Sequence, residues 1–445
     1  MARPSSLSGF PEWLPPGRAV EQHVLDTLRH TFELHGFAGI ETRAVEPLSE
    51  LLRKGETSKE VYVLRRLQEA EDADRDDRQL GLHFDLTVPL ARYVLEHAGQ
   101  LTFPFKRYQI QKVWRGERPQ DGRFREFTQA DIDVVGAETL PFHFEVELPL
   151  VMAEALAALP IPPVRISVNN RKVAQGFYEA IGLADVDGAL RVIDKLDKIG
   201  EQGVADELQT GAGATAEQAA QALELAAIRG NDATVADRVL ALGARSPLLE
   251  EGLQELVSLV EAAEERVPGV MVADLRIARG LDYYTGSVYE TTLVGHENLG
   301  SICSGGRYDS LASDGRRSFP GVGLSIGVTR LLARVLAENL ATVSRSVPTA
   351  VLVAVTDEDR RRESDTVAAR LRARGIPVDV APSAAKFGKQ IRYADRRGIP
   401  FVWFPESGEV KDIRSGDQLP ADPDTWEPPE ADRWPQVDVN RQAAG

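Results

Sequence analysis

Apolar residues recur with helical period between Gly17 and Gly36, where Val20, Val24, Leu25, Leu28 and Phe32 fall on one face, so an amphipathic helix is predicted there. The β-prone run Ala38-Gly-Ile-Glu-Thr42 follows and leads to Pro47. From Phe105 to Val135 β-prone residues alternate with polar ones, and a break from Pro119 to Gly122 predicts two strands joined by a longer loop. Between Ala184 and Val267 alanine, leucine and glutamate dominate and proline is nearly absent, which predicts a mainly helical stretch. After the short polar linker Ser344 to Pro348 the pattern resets. Ala350–Val355, Ile376–Val380 and Ile399–Phe404 read as buried strands, with amphipathic helices at Arg360–Arg374 and Lys386–Arg397 between them. Such alternation predicts a small α/β domain with right-handed crossovers. The stretch Leu67 to Arg78 mixes charges of both signs and reads as an exposed loop between hairpin strands. Beyond Arg414 the chain is rich in Pro, Asp and Glu without periodicity, and a disordered tail is expected.

Composition narrows the picture. A chain of 445 residues, 43% hydrophobic, supports substantial cores, and its length suggests roughly two to four domains. No apolar run is long enough to cross a bilayer, and Met1-Ala-Arg-Pro-Ser-Ser6 lacks the apolar stretch of a signal peptide, so a cytoplasmic location is expected. Lys and Arg number 52 against 68 acidic residues, a formal charge of -16. That argues against a nonspecific nucleic-acid coat, so any RNA contact must be local. The best basic surface is Lys386–Arg397, where cations recur at helical spacing. The only cysteine, Cys303, excludes an internal disulfide and a multi-thiolate metal site within one chain, and its apolar neighbours make it a small buried residue rather than a nucleophile.

The candidate chemistry begins with Arg279-Gly-Leu-Asp-Tyr-Tyr-Thr-Gly286, which gathers a cation, a carboxylate, two phenols and two glycines in one segment. The glycines permit close backbone approach to a ligand, and the arginine suits a phosphate or carboxylate. Ser304-Gly-Gly-Arg-Tyr-Asp309 and the stretch from Phe103 to Asp133 carry a similar mix. With Leu82-His-Phe-Asp-Leu-Thr-Val-Pro-Leu-Ala-Arg92, Lys106-Arg-Tyr-Gln-Ile-Gln-Lys-Val-Trp-Arg115 and Gly122-Arg-Phe-Arg-Glu-Phe-Thr-Gln129, these segments resemble, in order, the motifs of the histidyl-tRNA synthetases. The resemblance covers nearly the whole chain.

It implies an α+β class II synthetase core, an antiparallel sheet flanked by helices, over 1–183 and 268–343. A helical insertion at 184–267, a linker at 344–348, a C-terminal α/β anticodon-binding domain at 349–413 and a Pro/acidic tail at 414–445 complete the expected division. A homodimer through the region up to Pro47, with ATP and Mg2+ as nucleotide and metal and tRNA(His) as partner, is implied as well. By the same resemblance Arg115 contacts the α-phosphate and Arg279 stands opposite it. Arg330, ending Gly323-Leu-Ser-Ile-Gly-Val-Thr-Arg330, takes the γ-phosphate, and Arg123 helps hold ATP. Asp85, Thr87 and Gln129 hold the amino end of histidine, while Asp133, Tyr283 and Tyr284 surround its ring with Tyr308 nearby. Gln129 and Asp133 lie an even number of positions apart, so on a strand they face the same side. Arg118 and Gln120 are expected at the tRNA acceptor end, and Lys386, Lys389 and Arg392 at the anticodon, with Tyr393 or Phe387 able to stack on a base.

Two departures from the family pattern stand out. Thr329 occupies a position where an acid is common, and Asp85 and Asp133 stand where longer glutamates also occur. A regulatory paralogue that senses histidine, and a sensor of uncharged tRNA, are the competing readings. The first typically lacks an anticodon-binding domain and the Arg279 segment, and the second needs no set of ATP-binding arginines.

Overall fold

The computed structural model describes residues 5–52, 60–67, 79–120, 122–278, 280 and 284–439. The chain divides into two compact units, one built mainly from Leu25–Arg334 and the other from Glu12–Val24 together with the chain from Val335 onward.

In the first unit, among the described residues, nine strands form one sheet: β1 (Ala38–Gly39), β2 (Phe105–Trp114), β3 (Glu126–Val135), β4 (Val164–Asn170), β5 (Arg229–Gly230), β6 (Met271–Asp274), β7 (Ser287–Leu293), β8 (Cys303–Tyr308) and β9 (Gly321–Gly327). Their order is β1-β2-β3-β9-β8-β7-β4-β6-β5. The six strands from β2 to β4 in that order are antiparallel neighbours, and β1 joins β2 in parallel. The predicted two-strand unit with a loop at Pro119–Gly122 is therefore β2 and β3, paired along their full length.

The expected helix is Pro15–Leu34, and Val20, Val24, Leu25, Leu28 and Phe32 are all buried. Helices Val186–Ile193, Leu196–Gly211, Ala216–Ala226, Thr234–Ala241 and Pro247–Arg266 occupy the stretch predicted to be helical. Local chemistry sets their ends: Thr215 and Gln218 form a reciprocal capping box, and Ser246 caps a helix that begins at Pro247. The same stretch also contributes the short strand β5 to the sheet, which its composition did not announce. Val63–Leu64 pairs antiparallel with Leu80–Leu82, the hairpin expected around the charged loop, whose residues 68–78 lie outside the described residues.

In the second unit, β10 (Val351–Val353), β11 (Val378–Val380), β12 (Phe401–Phe404), β13 (Glu409–Asp412) and β14 (Gln418–Pro420) form a sheet ordered β11-β10-β12-β13-β14. The first three are parallel, as the alternating pattern predicted, and the last two are antiparallel additions. The expectation of a disordered tail after Arg414 is corrected here. β14 extends the sheet, and Val437–Val439 pairs with Ala341–Val343. Trp426 packs edge-on against Phe401 and Trp403 at 5.4 and 5.6 Å. Arg370 binds Asp422 and Asp424, and Arg414 binds Asp432. A segment without periodicity can still be ordered by a few anchors that meet an existing core, and such anchors leave no repeating pattern.

Candidate active site

Strand register brings the site's residues together. Arg107, Asp133 and Gly323 lie side by side across β2, β3 and β9, as do Gln109, Asp131 and Ser325, and then Gln111, Gln129 and Gly327. On β8, Gly306 lies beside Gly323 and Ser304 beside Ser325. Alternate residues of a strand share a face, so these side chains form one polar face. That face is nonetheless buried: Arg107, Gln109, Gln129, Asp131 and Asp133 are all closed off from solvent.

Glycine is needed where neighbouring side chains lie flat across the strands. A Cβ on Gly323 would sit 2.0 Å from Asp133 Oδ1, and one on Gly321 would sit 2.4 Å from the Tyr308 ring. The Tyr308 hydroxyl donates to Asp133 Oδ1 at 2.7 Å, so this packing fixes a carboxylate and a phenol against each other.

Two cavities open on this face and share Ser304 and Ser325. The smaller, about 240 Å3, is acidic and aromatic, lined by Thr87, Asp131, Asp133, Tyr284 and Tyr308. The larger, about 660 Å3, is lined by Arg115, Arg123 and Arg330 with Glu117, Phe127 and Gln129. An arginine-lined cleft thus runs directly into an acidic and aromatic pocket.

Each arginine of the cleft is held differently. Arg115 Nε donates to the Phe84 carbonyl at 3.0 Å, and its guanidinium lies 5.2 Å from the Phe127 ring centre. Arg330 donates to the carbonyls of Gly122 at 2.8 Å and Ser301 at 2.5 Å, which ties the loop after β2 to the helix Val328–Ala337. Arg123 is exposed and pairs with Glu117 at 3.1 Å. Thr329, which replaces the acid common before Arg330, makes a contact of its own inside the protein, where its hydroxyl accepts from the Thr128 backbone N–H at 2.8 Å.

Burial governs protonation in the small pocket. It pushes the Asp131 carboxyl up to about 7, a shift that the nearby Arg107 charge opposes and the Asp133 charge reinforces. Burial, with the Asp133 charge, likewise pushes the Tyr284 and Tyr308 phenols above their ordinary range, so both remain neutral donors. The Cys303 thiol is buried and raised in the same way, in keeping with a packed residue rather than a nucleophile.

Of the residues singled out from sequence, Arg115, Arg123, Arg330 and Gln129 meet in the cleft, and Thr87, Asp133, Tyr284 and Tyr308 meet in the pocket. Gln129 Nε2 donates to Ser325 Oγ at 2.5 Å, at the junction of the two. Asp85 is buried, and its Oδ1 accepts from the Val88 N–H at the start of the helix Thr87–His97. Arg279 and Tyr283 lie outside the described residues. Arg118 and Gln120 are exposed on the loop between β2 and β3. Lys386, Lys389 and Arg392 are exposed at and along the helix Phe387–Arg396 of the second unit. Tyr393 packs inward and its hydroxyl accepts from Arg397, whereas Phe387 is 40% exposed with its ring edge-on to Phe404 at 4.8 Å.

Sequence reasoning passed over Arg107, Asp131 and Ser325. The parity that joined Gln129 to Asp133 also covers Asp131, so that signal was present in the chain; Arg107 and Ser325 needed the strand register.

Comparison with known proteins places this geometry in a family. The sequence model described as Histidyl-tRNA synthetase matches residues 9–331, and that described as Anticodon binding domain matches 349–412. The chain is 64% identical to the histidine–tRNA ligase of Micrococcus luteus, over 98% of this chain and 99% of the relative. It is 57% identical to that of Cutibacterium acnes, again over 98% and 99%. Among solved structures, the histidyl-tRNA synthetase of Nostoc sp. PCC 7120 superposes with a TM-score of 0.81 at 37% identity, covering 94% of this chain and 97% of that one.

Proposed function

The chain belongs to the histidyl-tRNA synthetase family, and from that premise we propose how its two joined cavities activate histidine and pass it to tRNA. The activity is that of a class II histidine–tRNA ligase: ATP-dependent conversion of L-histidine to histidyl-adenylate, then transfer to the 3′ end of tRNA(His). The observation that carries the residue assignments is the continuity, through Ser304 and Ser325, of an arginine-lined cleft with an acidic and aromatic pocket.

The carboxylate of histidine is already ionised at neutral pH and needs no general base. One of its oxygens bonds to the α-phosphorus as the bond to the leaving pyrophosphate breaks. The protein must supply alignment and positive charge for that step. Arg115 meets the α-phosphate, with Arg279 as its counterpart across the reacting centre. Arg330 and Arg123 hold the outgoing phosphates. Asp85, Thr87 and Gln129 take the amino end; Asp133, Tyr283 and Tyr284 take the ring, and Tyr308 holds Asp133 in place. A site of paired polar groups rejects ligands that leave those groups unsatisfied. A ribose hydroxyl of the tRNA then attacks the acyl carbon and AMP departs.

Mg2+ belongs with the nucleotide. In such sites it is bound largely by phosphate oxygens, water and one or two carboxylates. Glu117 is the carboxylate among the described residues lining the cleft and would meet such an ion. When bound, the metal would neutralise charge on the phosphates. The tRNA is met by Arg118 and Gln120 at the acceptor end, by the helices of 184–267 along the acceptor arm, and by Lys386, Lys389, Arg392 and Phe387 at the anticodon. The working form is a cytoplasmic homodimer. A monomer by light scattering at micromolar concentration would count against that assembly.

The deciding experiment is exchange of labelled pyrophosphate into ATP, with histidine and with each other amino acid in turn. Exchange with histidine alone, lost in Arg279→Ala, supports the assignment. Saturable histidine binding without exchange would move the reading to a regulatory or sensing paralogue.

A further inference from the structure

The polar face under the small pocket carries more negative charge than positive. Arg107 is fully buried, with Nη2 2.8 Å from Asp133 Oδ2 and 4.0 Å from Asp131 Oδ2. None of its N–H groups points along a hydrogen bond to either carboxylate, and Nε and Nη1 have no hydrogen-bond partner. One guanidinium therefore serves two carboxylates, and it sits closer to Asp133. Asp131 is 2% exposed, lines the pocket, and keeps Oδ1 without a hydrogen-bond partner. Its surroundings are Arg107 from β2, Asp133 on its own strand, the charge of Asp85 before the helix Thr87–His97, and Ser325 from β9 as a hydrogen-bond partner. The neighbouring Tyr284 and Cys303 are held neutral by burial. A buried acceptor left unpaired is costly unless a ligand satisfies it.

We propose that Asp131 is a further substrate-binding and specificity-determining residue, whose free Oδ1 receives the α-ammonium of histidine, with Arg107 positioning the carboxylates behind it. This rests on the reading of the small pocket as the histidine site. Asp131 sits between Gln129 and Asp133 on β3, hence between the groups assigned to the amino end and to the ring. Before histidine arrives, the carboxyl, standing at about 7, holds a proton for part of the time near neutral pH. An arriving ammonium favours the carboxylate and lowers that value. Between the two values binding releases a proton, and affinity for histidine rises with pH across that window.

The test is calorimetry of ligand binding to the full-length protein at pH 7 in buffers of different ionisation enthalpy. L-histidine is compared with imidazolepropionate, which keeps the ring and carboxylate but lacks the ammonium. Because the imidazolepropionate ring is the more basic of the two and brings protons of its own, each ligand is compared with itself: histidine should release fewer protons in Asp131→Asn than in the unaltered protein, and imidazolepropionate the same number in both. In pyrophosphate exchange the same variant should raise the histidine KM about 10- to 100-fold, the loss expected of one charge-assisted contact, with the ATP KM unchanged. Imidazolepropionate binding as tightly as histidine to the unaltered protein would overturn the proposal without any variant, and histidine releasing as many protons from Asp131→Asn as from the unaltered protein would overturn it too. So would Asp131→Asn weakening both ligands alike, the mark of a merely structural partner of Arg107. If the unaltered protein gives no histidine-dependent exchange at all, the reading of the pocket fails, which is a separate outcome.

Discussion

Strand β3 of the first unit and strands β10 and β12 of the second are buried alike and filled with opposite chemistry. In the second unit Val351–Val353 and Phe401–Phe404 are buried at every position. Their alternate side chains feed one apolar cluster that includes Leu371 and Trp403, and another that includes Ala394 and Phe404. In the first unit β3 is just as enclosed from Thr128 onward, yet every second residue of its central part is Gln129, Asp131 or Asp133. Burying charge costs several kcal/mol per ion before pairing repays it, so a sheet selected for stability alone would not carry this face. Stability and chemistry can therefore be perturbed separately, one sheet at a time.

The largest effect should come from Arg115→Ala. Removing one preorganised donor from a developing charge costs about 10^2- to 10^3-fold in rate, and Arg115 is oriented by a carbonyl and a ring rather than by an ion pair. A drop of about 10^3-fold in pyrophosphate exchange with little change in Tm would hold the contrast. Retained exchange would remove Arg115 from the reacting centre. Trp426→Ala should do the reverse: an aromatic partner of Phe401 and Trp403 is lost, at about 3 kcal/mol of stability, while exchange is unchanged. Hydrogen exchange read on β10 and β12 would locate the loss; unaltered protection there would mean that the C-terminal segment does not brace this sheet. Gly323→Ala is smaller and more selective. Its methyl group cannot share space with Asp133 Oδ1, so the histidine KM should rise about 30-fold, on the order of 2 kcal/mol, with the ATP KM unaffected. A proportional rise in both constants would show a general distortion of β9 instead.

The same contrast explains what was legible in the chain. Apolar runs such as Ala350–Val355 declare a strand by themselves, and the helical period of Val20 to Phe32 declares a helix. The arginine set and the glycine-rich segments declared the chemistry through a resemblance of ordered motifs. Partnership across strands was not legible. Arg107 reads as one cation in a β-prone stretch, and only its position opposite Asp133 turns it into a buried counter-charge. The ordered C-terminal segment was missed for a related reason: Trp426, Asp424 and Asp432 act through isolated contacts with distant residues, which no local period records.

Thr329 offers the finest test, because it lines neither cavity and yet is tied to the neighbours of two residues, Gln129 and Arg330, that line the cleft. It precedes Arg330, and its hydroxyl accepts from the N–H of Thr128, which precedes Gln129. One hydrogen bond thus joins the start of the helix that carries Arg330 to the strand that carries Gln129, Asp131 and Asp133. Thr329→Val keeps the volume and deletes the acceptor, leaving a buried N–H unpaired, a loss of about 1 kcal/mol. Thr329→Ser should restore it. If the hydroxyl only stabilises, the valine variant will lose Tm and keep its KM values. If it also sets the spacing between Arg330 and Gln129, the KM for ATP will rise about threefold together with the loss of Tm, and serine will reverse both. The second outcome is expected, because the hydrogen bond spans the two residues' own backbone neighbours and leaves little chain to absorb a shift.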